Sequence, residues 1–349
     1  MANQNNYEEV FLNQLESIEV FKRTLGDQSD IVKKEMFSLQ DLGGNTLVLR
    51  PEGTASLMRF ILNNKLQFNL PKKYFYYGPM YRYERPQKGR YRQFYQFGVE
   101  NLGSNDPLAD FEIVNMANQI MQKIYKKNEH FELEINTLGD LEAQNFYNLE
   151  LQKFFKQKYI YDQLSEDSKQ RLERNNALRI LDSKNQKDIE LSEKAPKIQQ
   201  FLSQSSQENY QEIKQMLQIS GINYTENFRL VRGLDYYNDL CFEFKDKSQG
   251  GKSQNTLLAG GRYDRLSSIL SQNQTNISAV GWAAGIDRMS EKLMELVEIN
   301  NLSQKKVIKI GFVPIIQGKD ISSEDKNIIR TNLLKKIFQD PCIKKQARY

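Results

Sequence analysis

The amino-acid sequence predicts an α+β protein: a β-rich host built on antiparallel hairpins, flanked by helices and interrupted by a mostly helical stretch. Three observations predict it. Tyr74 to Tyr83 and Arg92 to Glu100 are two aromatic-rich strand patterns joined through the Pro86–Gly89 turn region. From about Leu141 to Gln218 glycine disappears, and Gln, Asn, Lys, Glu and Ser surround spaced apolar residues such as Leu151, Phe154, Phe155 and Leu164. After Asn227 strand patterns and glycines return together.

Taken in order, Thr46 to Leu49 (TLVL) reads as a short strand stopped by Pro51, and Thr54 is placed to cap the following helix, ASLMRFIL. The long hairpin comes next. Asp106-Pro107 opens a helix on which Ile113, Ala117, Ile120 and Ile124 share one face. Phe131 to Ile135 alternates as a strand does. Beyond the helical stretch, LVRGLDYY and LCFEF read as strands, followed by a polar turn (KDKSQGGKSQN) and TLLAGGRYD. Val280 to Arg288 is glycine-rich and leads into the helix MSEKLMELVEI, and Val307 to Pro314 starts a new β-α unit running through Leu333 and Ile337. The resulting division is 1–140 and 227–302 for two parts of one core, 141–226 for a helical insert, and 303–349 for a partial α/β domain.

Composition bounds the chemistry. A chain of 349 residues with 39% hydrophobic and 27% charged residues has room for two or three domains. Two cysteines, Cys241 and Cys342, provide neither a disulfide framework nor a thiolate metal site, so a reducing compartment is expected. No apolar run approaches the roughly 20 residues of a membrane helix. The opening MANQNNYEEV reads as neither a signal nor an Arg-rich transit peptide. The single histidine, His130, excludes a His-rich metal site and reads as structural. Chemistry is left to arginines, carboxylates and tyrosines.

The charge is concentrated. From Pro71 to Arg92 there are seven basic residues against one acidic, Glu84, an excess larger than the net +5 of the whole chain. Between Gly78 and Glu100 four arginines (Arg82, Arg85, Arg90, Arg92) and Lys88 are interleaved with six aromatics. Guanidinium groups fork onto phosphate or carboxylate, so this hairpin predicts a phosphate-rich ligand, a nucleotide or a nucleic acid.

Five ordered motifs carry a resemblance: LRPEGTA (Leu49–Ala55), the arginine hairpin, LVRGLDYY (Leu230–Tyr237), AGGRYD (Ala259–Asp264) and GWAAGIDR (Gly281–Arg288). With them the chain, from about Tyr7 to Asp340, resembles the histidyl-tRNA synthetases, whose class II fold is an antiparallel sheet flanked by helices. The resemblance implies ATP-dependent activation of L-histidine to histidyl-adenylate and transfer to tRNA(His). ATP is then a substrate, Mg2+ accompanies it, and no resident metal site is implied. It places Arg82, Glu84, Arg90 and Arg288 on ATP, with Arg82 and Arg232 as the catalytic cations, Arg232 bridging carboxylate and α-phosphate. Histidine is assigned to Glu52, Thr54, Gln96, Glu100, Arg232, Tyr236 and Tyr237, because an imidazole with two ring nitrogens needs an acceptor and a donor/acceptor at fixed positions. Arg85, Gln87, Lys88 and Arg92 are assigned to the tRNA acceptor end.

The chain also departs from that pattern. Asn13 stands where the family has a proline at the end of its motif 1 strand, here Tyr7–Leu15, and Asp287 where it has glutamate. Little precedes that strand, and Lys344–Tyr349 resembles a segment from deeper in the anticodon-binding domain, so the chain reads as shortened at both ends. A homodimer with weakened contacts is therefore expected, in the cytoplasm or the mitochondrial matrix, with no membrane. The alternative from a different class is a catalytically silent synthetase-like regulatory or complex subunit.

Overall fold

The structure, a computed structural model, describes residues 1–26, 29, 31–85, 89–125, 130–231, 236–247, 255–299, 322 and 325. The chain forms two compact units, 1–300 and 301–349, and the architecture below is that of the first. The predicted β-α unit from Val307 onward and the segment Lys344–Tyr349 lie outside the described residues, as do Gln87, Lys88 and Arg232.

Eleven strands are described: β1 (Glu8–Glu9), β2 (Leu15–Ser17), β3 (Ser38–Gln40), β4 (Thr46–Leu49), β5 (Lys72–Tyr81), β6 (Gln93–Leu102), β7 (Phe131–Thr137), β8 (Thr225–Glu226), β9 (Asn238–Asp246), β10 (Thr256–Arg262) and β11 (Ala279–Gly285). Eight form one sheet in the order β1-β5-β6-β11-β10-β9-β7-β8, antiparallel except for the edge pairs β1–β5 and β7–β8; β2, β4 and β3 form a small second sheet. The helices are α1 (Ile18–Leu25), α2 (Thr54–Asn63), α3 (Pro107–Tyr125), α4 (Leu141–Phe155), α5 (Lys158–Tyr161), α6 (Glu166–Glu173), α7 (Gln186–Ser192), α8 (Gln204–Ile219), α9 (Arg265–Ser271) and α10 (Ile286–Ile299).

The two-residue period of the strands divides the large sheet into unlike faces. Val99, Leu133, Ile135, Phe242, Phe244, Val280 and Trp282 point to one face, where Ile113 and Ala117 of α3 and Ile213 and Leu217 of α8 cover them in a fully apolar core. The alternate positions Gln96, Gly98, Glu100, Gly281, Ala283 and Gly285 are small or polar, and α1, α2 and α9 pack beside them around a second core. That second face holds the site. In the helical stretch, α4 to α7 gather around their own core, including Tyr147, Leu151, Phe155 and Leu181, whereas α8 turns back beneath the sheet.

Three local expectations are corrected. Tyr7 to Leu15 is not one strand: only Glu8–Glu9 pairs with β5, and Leu15 joins the small sheet, because Arg50 takes the carbonyls of Leu12 (2.9 Å) and Asn13 (3.4 Å) that would otherwise enter a ladder. LVRGLDYY is not a strand over its described residues; the ladder resumes at Asn238. Thr54 does not cap α2. The Glu52 carboxylate does, accepting from the Thr54 N–H at 2.6 Å and the Ala55 N–H at 2.9 Å, since its two oxygens reach two orphan donors at once.

Candidate active site

The hairpin β5–β6, the turn preceding α2, the segment entering β9, strand β10 and the start of α10 enclose a cavity of about 220 Å³. Two chemically different groups of side chains line it. Arg82, Arg90 and Arg288 form one; Glu52, Thr54, Gln96, Tyr236 and Tyr237 form the other.

Among the described residues, Glu84 is the carboxylate that meets the cationic group. Arg82 donates from Nε to the Pro51 carbonyl (3.0 Å) and lies over the Phe94 ring at 5.2 Å. Its Nη1 is 4.0 Å from Glu84, the same carboxylate that Arg90 meets at 3.2 Å. Arg288 donates to the carbonyls of Gly89 (2.7 Å) and Thr256 (3.2 Å). Burial, set against the attraction of Glu84 and joined by repulsion from Arg90 and Arg82, lowers the Arg288 guanidinium below its ordinary pKa. Such an arrangement favours an arriving polyanion.

The second group rests on a buried carboxylate. Glu100 is 1% exposed; its Oε1 accepts from the hydroxyls of Thr54 (2.8 Å) and Tyr76 (3.2 Å), and its Oε2 from Tyr263 (2.6 Å). Glu100, assigned to histidine from the sequence, does not itself line the cavity: Thr54 stands between, with Glu100 directly behind it. Burial pushes Glu100 up to about 8 against the pull of the Tyr263, Thr54 and Tyr76 hydroxyls, and the nearby Glu52 adds to the rise. Burial also raises Glu52, opposed by its two helix N–H bonds and by Arg82. Two glycines make room here. A Cβ on Gly98 would sit 2.1 Å from the Tyr76 ring, and one on Gly281 would sit 1.7 Å from Glu100 Oε2 and 2.5 Å from the Val99 carbonyl.

At the wall, Gln96 Oε1 and the Tyr236 hydroxyl are buried with no hydrogen-bond partner among the described residues. Unpaired buried polar atoms are costly, which fits them to a polar ligand in the cavity they line. Tyr236, Tyr237 and Tyr263 pack together, with ring centroids 4.9 to 6.2 Å apart.

The cavity therefore brings together Glu52, Thr54, Arg82, Glu84, Arg90, Gln96, Tyr236, Tyr237 and Arg288. Arg85 and Arg92 lie exposed on the outer part of the hairpin, Arg92 stacked 3.9 Å over Tyr83. Sequence reasoning missed Tyr76 and Tyr263, the hydroxyls on Glu100. Tyr263 sits inside AGGRYD, and Tyr76 is three alternate positions into an aromatic strand, facing Gly98 across the ladder. Either signal was available.

Because Glu100 binds its proton more tightly when folded than when unfolded, its contribution to stability is fully present below the unfolded value near 4.5 and is lost as pH rises through about 8. Chemical denaturation of the ligand-free chain is expected to show Glu100→Gln gaining on the parent as pH rises from 5 to 8, by up to about 1.4 kcal/mol per pH unit. A difference that is flat with pH contradicts the assignment.

A family model described as histidyl-tRNA synthetase matches residues 1–289. The chain is 44% identical to the chloroplastic histidine–tRNA ligase of Gracilaria tenuistipitata var. liui over 88% of its length and 70% of that protein's. It is 43% identical to the histidine–tRNA ligase of Buchnera aphidicola subsp. Schizaphis graminum, over 92% and 74% of the two chains. Its fold matches that of the ligand-free histidyl-tRNA synthetase of S. aureus with a TM-score of 0.72 at 30% identity, over 99% of this chain and 80% of that one. Set beside a cavity that pairs clustered guanidiniums with a buried carboxylate and tyrosines, these matches establish that the chain belongs to the histidyl-tRNA synthetase family.

Proposed function

We propose that this cavity holds ATP and L-histidine side by side for the family's reaction, ATP-dependent ligation of histidine to tRNA(His). The observation that carries it is the cluster of Arg82, Arg90 and Arg288 in one cavity with Gln96 Oε1 and the Tyr236 hydroxyl, buried polar atoms that have no partner among the described residues. In the first step a histidine carboxylate oxygen attacks the α-phosphorus, the bond to the β-phosphate oxygen breaks, and pyrophosphate leaves. No proton needs to move. Holding two anions in contact and stabilising the charge that develops are the whole task, so guanidiniums suit it better than acid–base groups.

In this reading Arg82 spans the carboxylate and α-phosphate, Arg90 and Arg288 take the outer phosphates, and Glu84 orients Arg82 and Arg90. Mg2+ enters with ATP as part of the substrate. Arg232, from the sequence motif, assists Arg82 between carboxylate and phosphate. Glu52, Thr54 and Gln96 hold the α-ammonium group, and Tyr236 and Tyr237 frame the imidazole. Glu100 stands behind that ring and, through its hydrogen bonds with Thr54, Tyr76 and Tyr263, fixes the polar wall that meets it. Arg85, Gln87, Lys88 and Arg92 contact the tRNA acceptor end, and residues 303–349 contribute to anticodon recognition.

Incubation with histidine and ATP is expected to yield histidyl-adenylate, detected by mass spectrometry; a folded chain that forms none overturns the reading and leaves the silent-subunit alternative. A second copy of the chain is the further partner proposed. Phe11, Leu15, Leu39 and Leu42, all in the segment carrying β1 to β4, are exposed apolar side chains that such a partner would cover. Sedimentation that returns only monomer at high concentration contradicts this.

A further inference from the structure

Helix α10 carries a buried cation with no place in the reaction just described. Lys292 is 7% exposed, and its Nζ lies 2.7 Å from Asp246 Oδ2 and 3.1 Å from Glu295 Oε2. Asp246, itself 5% exposed, ends β9. Lys292 follows Arg288 by four residues, so the two side chains share one helix face, one turn apart. Both grip the same pair of strands: Arg288 holds the Thr256 carbonyl at the start of β10, and Lys292 holds Asp246, whose N–H is bonded to Asn255 next to Thr256. A second tie joins the start of α10 to β6, where Asp287 accepts from the Tyr95 N–H at 2.6 Å.

A helix seated on a sheet by apolar contacts alone can roll and shift by small amounts, whereas a buried charge pair has one satisfied geometry. Burial works against the Lys292 ammonium, but its hydrogen bonds to Asp246 and Glu295 prevail and raise it above its ordinary pKa, so it stays charged. We propose that Lys292 is a positioning residue: its ion pair with Asp246 fixes the roll of α10 and thereby aims the Arg288 guanidinium at the outer phosphates of ATP. The inference rests on the assignment of Arg288 to ATP.

The test is steady-state kinetics of histidine-dependent ATP–pyrophosphate exchange on the full chain, comparing Lys292→Met, Lys292→Arg, Arg288→Ala and the Lys292→Met/Arg288→Ala double variant. Lys292→Met is expected to raise KM for ATP about tenfold while KM for histidine stays within about twofold. Lys292→Arg restores most of the loss, and Lys292→Met adds nothing further once Arg288 is alanine. If Lys292→Met does not fold, Asp246→Asn is measured in its place, with the same expectation. An unchanged KM for ATP in Lys292→Met beside a raised one in Arg288→Ala overturns this inference alone, as does an effect that persists undiminished in the double variant. An Arg288→Ala variant with normal KM for ATP overturns the assignment of Arg288 itself, and this inference with it.

Discussion

Arg82→Ala is expected to lower the rate of histidine-dependent ATP–pyrophosphate exchange by roughly 10³-fold with the fold intact, the scale on which preorganised charge acts in a transition state. Arg82 is tied to both groups of the cavity: its Nε is fixed on Pro51, one residue before Glu52, and it lies over Phe94, two residues before Gln96. That anchorage uses only Nε and leaves both Nη groups for a ligand in the proposed function. Arg82→Lys keeps the charge but loses the planar fork, and recovers only a small part of the rate. Thermal melting separates the chemistry from folding. A loss of less than about tenfold with unchanged melting would place the developing charge on another residue.

Gly281→Ala is the second large effect, and it acts through shape. The added methyl must enter space held by the Glu100 carboxylate, at 1.7 Å, and by the Val99 carbonyl, at 2.5 Å, which belongs to the β6–β11 ladder and cannot swing away. Glu100 must leave, breaking the hydrogen bond from Tyr263 to Oε2, and the strands must part slightly. Overpacking of this kind costs about 1–3 kcal/mol. Exchange activity is expected to fall at least about a hundredfold more than stability alone explains, because the wall proposed to hold histidine loses the buried carboxyl group that fixes Thr54 and Tyr263. Near-normal exchange in a folded Gly281→Ala chain would show that Glu100 is not needed where it sits.

The sequence made the scaffold legible where periodicity was strong. The β5–β6 hairpin, α3, β7, β10 and α10 lie where the sequence patterns placed them, whereas β11 falls in a stretch read only as glycine-rich. In β11 (AVGWAAG) bulky Val280 and Trp282 alternate with Gly281 and Ala283, and those two sets prove to be the packed and the open face of the sheet. Legibility failed where a side chain far away in sequence competed with the local pattern. Arg50 draws off the carbonyls of Leu12 and Asn13, which ends the expected long strand at Glu9. Thr54 matches a helix cap by type, yet its hydroxyl goes to Glu100, 46 residues away, and Glu52 supplies the cap.

The site was legible as a set of residue types before it was legible as geometry. Clustered arginines announced a polyanion, and Tyr236 and Tyr237 of LVRGLDYY announced a polar pocket. What one dimension could not supply is depth. That Glu100 stands behind Thr54, closed in by three hydroxyls, follows from the registers Gly281↔Glu100 and Tyr74↔Glu100, which only the folded sheet sets.

In the proposed function one cavity selects histidine and delivers its carboxylate to ATP. Amino-acid-dependent ATP–pyrophosphate exchange, measured with histidine and with phenylalanine in place of histidine, tests it most directly. Phenylalanine keeps an aromatic ring but has no ring nitrogen to pair with buried polar groups, so exchange is expected with histidine and at least about a thousandfold less with phenylalanine. Exchange at comparable rates with both, or with neither while the chain is folded, would rule out a histidine-selective cavity.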